Sequence, residues 1–376
     1  MNKKILVAAV LSSIGAVAHA QSSVTLYGLI DAGVSYVNHS KNAAGGSDKL
    51  VKYDDGIASG SRWGLRGTED LGGGLKALFV LENGFNSGNG TLGQGSREFG
   101  RQAFVGLSKD GIGSLTMGRQ YSFSTDFLGP YSTGGQTVAG NYAYHINDLD
   151  QLTSSRIDNS VKFTSANFSG VTFGAMYGFS NQAGAFAGSL GNSSRAYSFG
   201  ANYAAGPFGV GAAYTDIRFP ASGGFSTSAA NVSVANVKEL RTFGLGGRYA
   251  FGPATLWALY TNTRLTPVTG SATRFDAYEA GGKYAFTPAL TAGLGYTYMH
   301  LADAFKGHWN QVDASVDYAL SKRTDVYVLG IYQIASGKNG ATPVQAQIGS
   351  SASYFSTSGT GADNQLAFRV GIRHKF

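Results

Sequence analysis

"QLAFRVGIRHKF", Gln365–Phe376, ends the sequence. Leu366, Phe368, Val370, Ile372, His374 and Phe376 share one parity; Ala367, Arg369, Gly371, Arg373 and Lys375 share the other. Side chains alternate across a β-strand, so this reads as an amphipathic strand running to an aromatic residue. Terminal residues fray unless something ties them down. A regular strand here asks for a neighbour.

The same period recurs along the chain. In "GVTFGAMYGFS", Val171, Phe173, Ala175, Tyr177 and Phe179 face one way and Thr172, Gly174, Met176, Gly178 and Ser180 the other. Alternation returns near Tyr197–Tyr203, Phe208–Tyr214, Phe243–Phe251, Leu290–Tyr298 and Val312–Leu320, with Asn202, Arg248, Thr291, Thr297, Gln311, Asp313, Ser315 and Asp317 on the opposite face. Thr255–Thr261 and Asp325–Ile334 are apolar on both parities, which leaves their facing open.

Connections alternate too. Short links rich in Gly, Pro and Asp occur at Thr68–Gly74, Lys109–Gly113, Asn167–Gly170, Ala204–Pro207, Phe251–Pro253, Phe286–Pro288 and Leu320–Arg323. Between them lie long stretches at Asn38–Asp55, Phe85–Arg97, Ser122–Ser155, Ser180–Ser194, Phe219–Lys238 and Ser336–Asp363, and shorter ones near Thr263–Thr273 and Leu301–Lys306. Short turns at one end and long loops at the other predict an all-β fold, a transmembrane barrel of about sixteen antiparallel strands. An open sheet would leave unpaired backbone groups in lipid. The closing strand must therefore pair with the first, "SVTLYGLIDAGVSYV" (Ser23–Val37). Aromatic residues near strand ends, such as Tyr249, Phe251, Tyr284 and Phe286, fit an interfacial girdle.

Residues 1–20 read as a secretory signal peptide. Lys3 and Lys4 precede an apolar run, Ile5–Ala18, and "AHA" at Ala18–Ala20 is a small-x-small cleavage site. The barrel is then expected over residues 21–376. With no cysteine there is neither disulfide nor thiolate metal site. Charged residues make up 14% of the chain, below the roughly 25% of soluble domains. The net charge of +7 falls to +5 once Lys3 and Lys4 are removed, and no basic run or binding motif points to nucleic acid.

Other chemistry is set aside on the same grounds. The histidines at 19, 39, 145, 300, 308 and 374 lack metal-ligand spacing. "GLGGRY" (Gly244–Tyr249) lies in a strand with no helix behind it, so it is no phosphate cradle. There is no G-x-S-x-G elbow, and "GHWN" (Gly307–Asn310) reads as a rim segment. No enzyme activity, cofactor or metal is expected.

At "SVTLYGLIDAGV" the chain resembles the Gram-negative general porins, of the trimeric betaproteobacterial type. The resemblance continues through Ser61–Phe85, "RQAFVGLSKDGIGSLTMGRQY" (Arg101–Tyr121) and "RIDNSVKFTS" (Arg156–Ser165), and ends in "FRVGIRHKF". It implies a sixteen-stranded barrel whose third external loop, here Ser122–Ser155, folds inward to narrow the channel. Acidic residues of "DFLGP" (Asp126–Pro130) and "NDLD" (Asn147–Asp150) match that loop's pattern. It also implies a homotrimer, contact with outer-membrane lipid and lipopolysaccharide, and reading of Phe376 by the outer-membrane assembly machinery. His374 stands where an aromatic is usual. Gly28 and Ala32 offer small outward residues that suit either a protein contact or sheet curvature.

Two alternatives differ in class. A plugged transporter needs more strands and an N-terminal plug domain, yet the first strand starts a few residues after the cleavage site. A secreted or surface β-rich adhesin or binding protein would lack channel activity.

Parity assigns the lining. Outward Trp63 and Leu65 put Arg62 and Arg66 inside; outward Ala77, Phe79 and Leu81 put Lys76 and Glu82 inside. Outward Val161 and Phe163 put Arg156, Asp158 and Lys162 inside, and the same rule turns Asp31, Arg248, Glu279, Lys283, Arg369, Arg373 and Lys375 inward. An Arg or Lys on the lipid face near the midplane costs roughly 2–4 kcal/mol. Arg101 and Arg119 share parity with outward residues, so a bulge or a strand end is required there; the family pattern of basic residues opposite the third loop places Arg101 in the lining. The expected constriction sets Arg62, Arg101 and Arg156 on the wall against Asp126, Asp148 and Asp150 on the loop. Passive diffusion of ions and small hydrophilic solutes follows, with modest anion preference.

Overall fold

The computed structural model describes residues 23–181, 195–219 and 225–376. The leader at 1–20 and nearly all of Ser180–Ser194 lie outside them. The strands are β1 (Ser23–Lys41), β2 (Ser47–Asp55), β3 (Arg62–Gly72), β4 (Leu75–Gly84), β5 (Gln102–Lys109), β6 (Gly113–Tyr121), β7 (Arg156–Ser165), β8 (Val171–Gly178), β9 (Arg195–Ala205) and β10 (Phe208–Arg218). They continue with β11 (Phe225–Ala229), β12 (Val232–Phe251), β13 (Ala254–Pro267), β14 (Thr273–Ala285), β15 (Leu290–Asp303), β16 (Gly307–Ala319) and β17 (Thr324–Ser336), then the short β18 (Lys338–Asn339) and β19 (Thr342–Pro343), and β20 (Asn364–Lys375).

Sequential antiparallel pairing carries the sheet from β3 round to β17 and β20, and β20 pairs with β1 from Leu29↔Lys375 to Val37↔Ala367. The cylinder is closed. β2 and β3 pair in succession along β1 and make one stave; β11 pairs only with β12, so the barrel has sixteen staves. Closure satisfies every edge, as a sheet in hydrocarbon requires. Exposed Val34, Leu245, Tyr278 and Val370 form the outer face, while the polar parity lies inside.

Two expectations need correction. Asn38–Asp55 is not a long loop: β1 and β2 extend to a tight turn at 42–46, because Leu50, Lys52 and Asp54 keep alternating with Val51 and Tyr53. The second stave is instead interrupted at 56–61, where Gly56 takes a left-handed backbone (φ 71°) and donates to Asp31 O. Within Phe219–Lys238, β11 and β12 form a hairpin turning at Ala230 and Asn231, both at positive φ.

The doubly apolar strands are now explained. In β13, Leu259 points inward onto a core with Leu128 and Ile146, and buried Trp257 points inward to Thr133; in β17, Tyr327, Leu329 and Ile331 point inward onto Ile57, Tyr142, Ile348 and Phe355. Both faces of these strands meet apolar surroundings, lipid outside and packed side chains inside.

Candidate functional site

Residues 122–155 contain a series of short helical turns, Ser124–Leu128, Gly129–Tyr131, Thr133–Gln136, Gly140–Ala143 and Ile146–Asp148. Every wall side chain these residues contact by a hydrogen bond or ion pair is of the inner parity. Phe123 N donates to Ser198 Oγ (2.9 Å), Ser124 Oγ meets Thr215 Oγ1 (2.7 Å), and Trp257 Nε1 donates to Thr133 Oγ1 (3.1 Å). Thr133 N donates to Glu279, whose other oxygen lies 3.0 Å from His145 Nε2. On the opposite flank Tyr142 OH donates to Asp54 and lies 2.9 Å from Ser35 Oγ, while Asn141 N donates to Ile57 O (2.7 Å). Gly140 is required at this approach, since a Cβ would fall 2.7 Å from Ala58 Cα at a backbone φ of 48°.

Between this segment and the wall of β3–β7 is a cavity of about 820 Å³, lined among others by Arg62, Arg101, Tyr121, Asp126, Arg156 and Arg373. Arg373 also lines a second cavity of about 370 Å³ with Gln136, Lys283 and Asp317. Arg62 Nε donates to Gly60 O (2.8 Å), and no carboxylate pairs with it among the described residues. Arg101 donates to Glu82 at 2.7 Å, and Glu82 also accepts from Tyr27 OH (3.0 Å). Arg156 lies over the Tyr121 ring at 4.6 Å and donates to its hydroxyl at 2.8 Å; it too lacks a carboxylate partner. Asp126 is engaged by Lys162, whose Nζ also donates to Tyr121 O (2.9 Å).

A family model for Gram-negative porins matches residues 7–339. The chain belongs to the Gram-negative porin family. An outer membrane porin protein of Bordetella pertussis is 39% identical over 236 residues, covering 57% of this chain and 59% of that protein. Outer membrane porin protein 32 of Delftia acidovorans is 38% identical over 192 residues, covering 48% and 50%. The chain thus spans between half and three-fifths of the length of these curated relatives. An anion-selective porin from Comamonas acidovorans superposes with a TM-score of 0.73 at 25% identity, covering 94% of this chain and 100% of that one. The porin is accordingly an outer-membrane protein.

Not every residue expected in the lining of this porin reaches the cavities. Asp148 is buried and accepts from Thr153 N (3.0 Å), Ser154 N (2.8 Å) and Ser154 Oγ; burial, then Asp150, pushes its carboxyl up to about 6. Asp150 is fully buried between His145 Nδ1 and Thr261 Oγ1 (2.6 Å). Neither faces Arg62: both hold the segment in shape, because a carboxylate in this dry interior needs local donors. Asp158 leaves the inward register at a bulge, where Asn159 has φ 51°, and pairs with Arg119 and with Arg97 (2.9 Å).

Arg101 is reached from a strand end, just before β5, and Arg119 sits at the β6–β7 register shift. Asp31, Glu82 and Glu279 are inward but sealed. Asp31 accepts from Tyr327 OH (2.5 Å) and Ser59 N (2.9 Å) beside buried Arg369. Arg66 lies over Tyr27 (5.2 Å) toward the short-turn end, where Lys76 pairs with Asp110 at 3.3 Å. Arg248 faces inward, exposed, near Gly209; Lys283 Nζ donates to Gln136 O (2.8 Å).

Tyr142, His145, Thr133 and the 56–61 interruption were not singled out by sequence reasoning. The last had a signal: "GIASGS" breaks the alternation between Leu50–Asp55 and Arg62–Arg66.

Proposed function

We propose that the barrel is a water-filled channel through the outer membrane for passive diffusion of ions and small hydrophilic solutes, with modest anion preference. The segment 122–155 is the inward constriction loop, and the neck lies between Asp126 and the arginines Arg62, Arg101 and Arg156. One observation carries the reading: Arg62 and Arg156 border the larger cavity and neither forms an ion pair with a carboxylate among the described residues, whereas Asp126 is already paired with Lys162. Three guanidinium groups, Arg62, Arg101 and Arg156, against the single carboxylate Glu82 on that wall leave a positive potential in a low-dielectric neck that draws anions. The anion-selective relative supports the same sign.

Transport needs no energy source, cofactor or covalent chemistry. The porin works as a homotrimer, as the family resemblance implies, and Phe376 is read by the assembly machinery. Liposome swelling tests the channel, because exclusion of sugars below a few hundred daltons would leave no open path. Cross-linking in mild detergent tests the trimer, and a monomer alone would remove it.

A further inference from the structure

The two cavities inside the barrel are consecutive. Gly135, Thr137 and Arg373 border both of them. The larger reaches Asn86, Gln94 and Ser350 in the stretches Phe85–Arg97 and Ser336–Asp363, so it opens toward the long-loop side. The smaller reaches Pro253 and Ala285 beside two of the short turns, and Asp317 just before a third. A solute that has passed the arginine neck therefore leaves between the helical turn Thr133–Gln136 and Arg373.

Arg373 on β20 stands directly opposite Asp325 at the start of β17. Its Nε and Nη2 both donate to Asp325 Oδ2, at 3.1 Å each, and its Nη1 donates to Ser59 Oγ at 3.1 Å. Asp325 is buried, its Oδ1 has no hydrogen-bond partner, and among the described residues it forms an ion pair with Arg373 alone. The other charges bordering the second cavity are Asp317 and Lys283, whose Nζ donates to Gln136 O (2.8 Å); neither forms an ion pair among the described residues. Two acidic and two basic groups thus meet at this exit. Ions crossing two charged constrictions in series are selected by both, because a barrier at either limits the current. Without Arg373 the exit would hold Asp317 and an unpaired Asp325 against Lys283, and would repel the anions that the neck admits.

We propose that Arg373 is a second specificity-determining residue: paired with Asp325, it offsets the acidic charge at the exit and keeps the path open to anions beyond the neck. The inference rests on the channel reading and concerns a residue outside the neck.

The test uses the whole folded porin in planar bilayers, with reversal potentials read across a KCl gradient for wild type, Arg373→Ser, Asp325→Asn and Arg373→Lys. The heat-induced gel shift checks that each variant is folded. Arg373→Ser and Asp325→Asn break the same ion pair, so a merely structural role would move both in one direction. A charge role moves them apart: Arg373→Ser toward potassium, Asp325→Asn further toward chloride. Arg373→Lys keeps the charge without the two-point contact and should stay near wild type. Arg62→Ser, measured alongside, separates the two readings. If it shifts the potential while Arg373→Ser does not, the neck stands and the exit filter falls. If wild type already favours potassium, the neck reading falls, and opposite shifts of Arg373→Ser and Asp325→Asn would still uphold the exit filter. Shifts of those two variants in the same direction would overturn the proposal, as would Arg373→Lys behaving like Arg373→Ser.

Discussion

The ring of Phe376 lies over Gly28, and the two backbones exchange hydrogen bonds of 3.1 and 3.0 Å at the seam between the first and last staves. A Cβ on Gly28 would fall 2.7 Å from Phe376 Cε2 and 2.6 Å from Arg62 O. Gly28 is thus the seat of an aromatic ring, which accounts for its size without a subunit contact. Gly28→Ala should lower the temperature of the heat-induced gel shift, overpacking costing about 1–3 kcal/mol. In a Phe376→Ala background the penalty should shrink without vanishing, because the Arg62 carbonyl remains. Strict additivity of the two substitutions would show that the ring is not what Gly28 accommodates.

His145 fastens the segment to β14. Burial opposes its charge, but Asp150 and Glu279 outweigh that and hold the imidazolium to about 10. A histidine raised above its unfolded value of about 6.5 stabilises fully below that value and loses the contribution as pH rises through its folded one. The gel-shift temperature of wild type should therefore fall between about pH 7 and about pH 10. Asp150, Glu279 and Asp313 are the carboxyl groups around it and are left facing one another. His145→Gln should be less stable at neutral pH and should flatten that slope; a parallel slope in the variant would exclude His145 as its source.

Tyr142 braces the other flank. Its hydroxyl donates to Asp54, which Arg369 also engages, and Arg369 Nε donates to Tyr327 OH at 2.9 Å. A hydrogen bond to a charged group is worth about 1.5–3 kcal/mol. Tyr142→Phe should raise open-channel current noise and lower the gel-shift temperature while leaving the sign of ion selectivity unchanged. Quiet single-channel records in that variant would mean the segment is held without this brace.

Glu82 is the 2.7 Å partner of Arg101, and in the proposed neck it offsets part of that guanidinium's charge. Glu82→Gln removes the negative charge and leaves the guanidinium in place, so reversal potentials should move further toward chloride. A shift toward potassium, or none, would place this pair outside the ion path.

The barrel was legible because its signals are local. Alternation reports two environments at every strand position, and turn chemistry sets which end is which. The doubly apolar strands at Trp257–Leu259 and Tyr327–Ile331 carried more than parity could use, since they mark where the lumen is filled. The interior of the 122–155 segment was not legible. Asp126 reaches the cavity while Asp148 and Asp150 turn to Ser154 and His145, a choice made by tertiary donors that no period encodes. Asp158 was misplaced for a related reason, because one left-handed residue, Asn159, resets parity without a sequence mark stronger than asparagine itself.

The central claim is that Arg62 and Arg156, in no ion pair among the described residues, give the proposed channel its charge preference. Reversal potentials across a KCl gradient test it most directly, with Arg62→Ser measured beside wild type. Among the described residues the Arg62 side chain makes one hydrogen bond, to Gly60 O, so its removal should leave the wall in place. Wild type should favour chloride and Arg62→Ser should move toward potassium. A wild-type channel that already favours potassium, or a potential unchanged in the variant, would contradict the account.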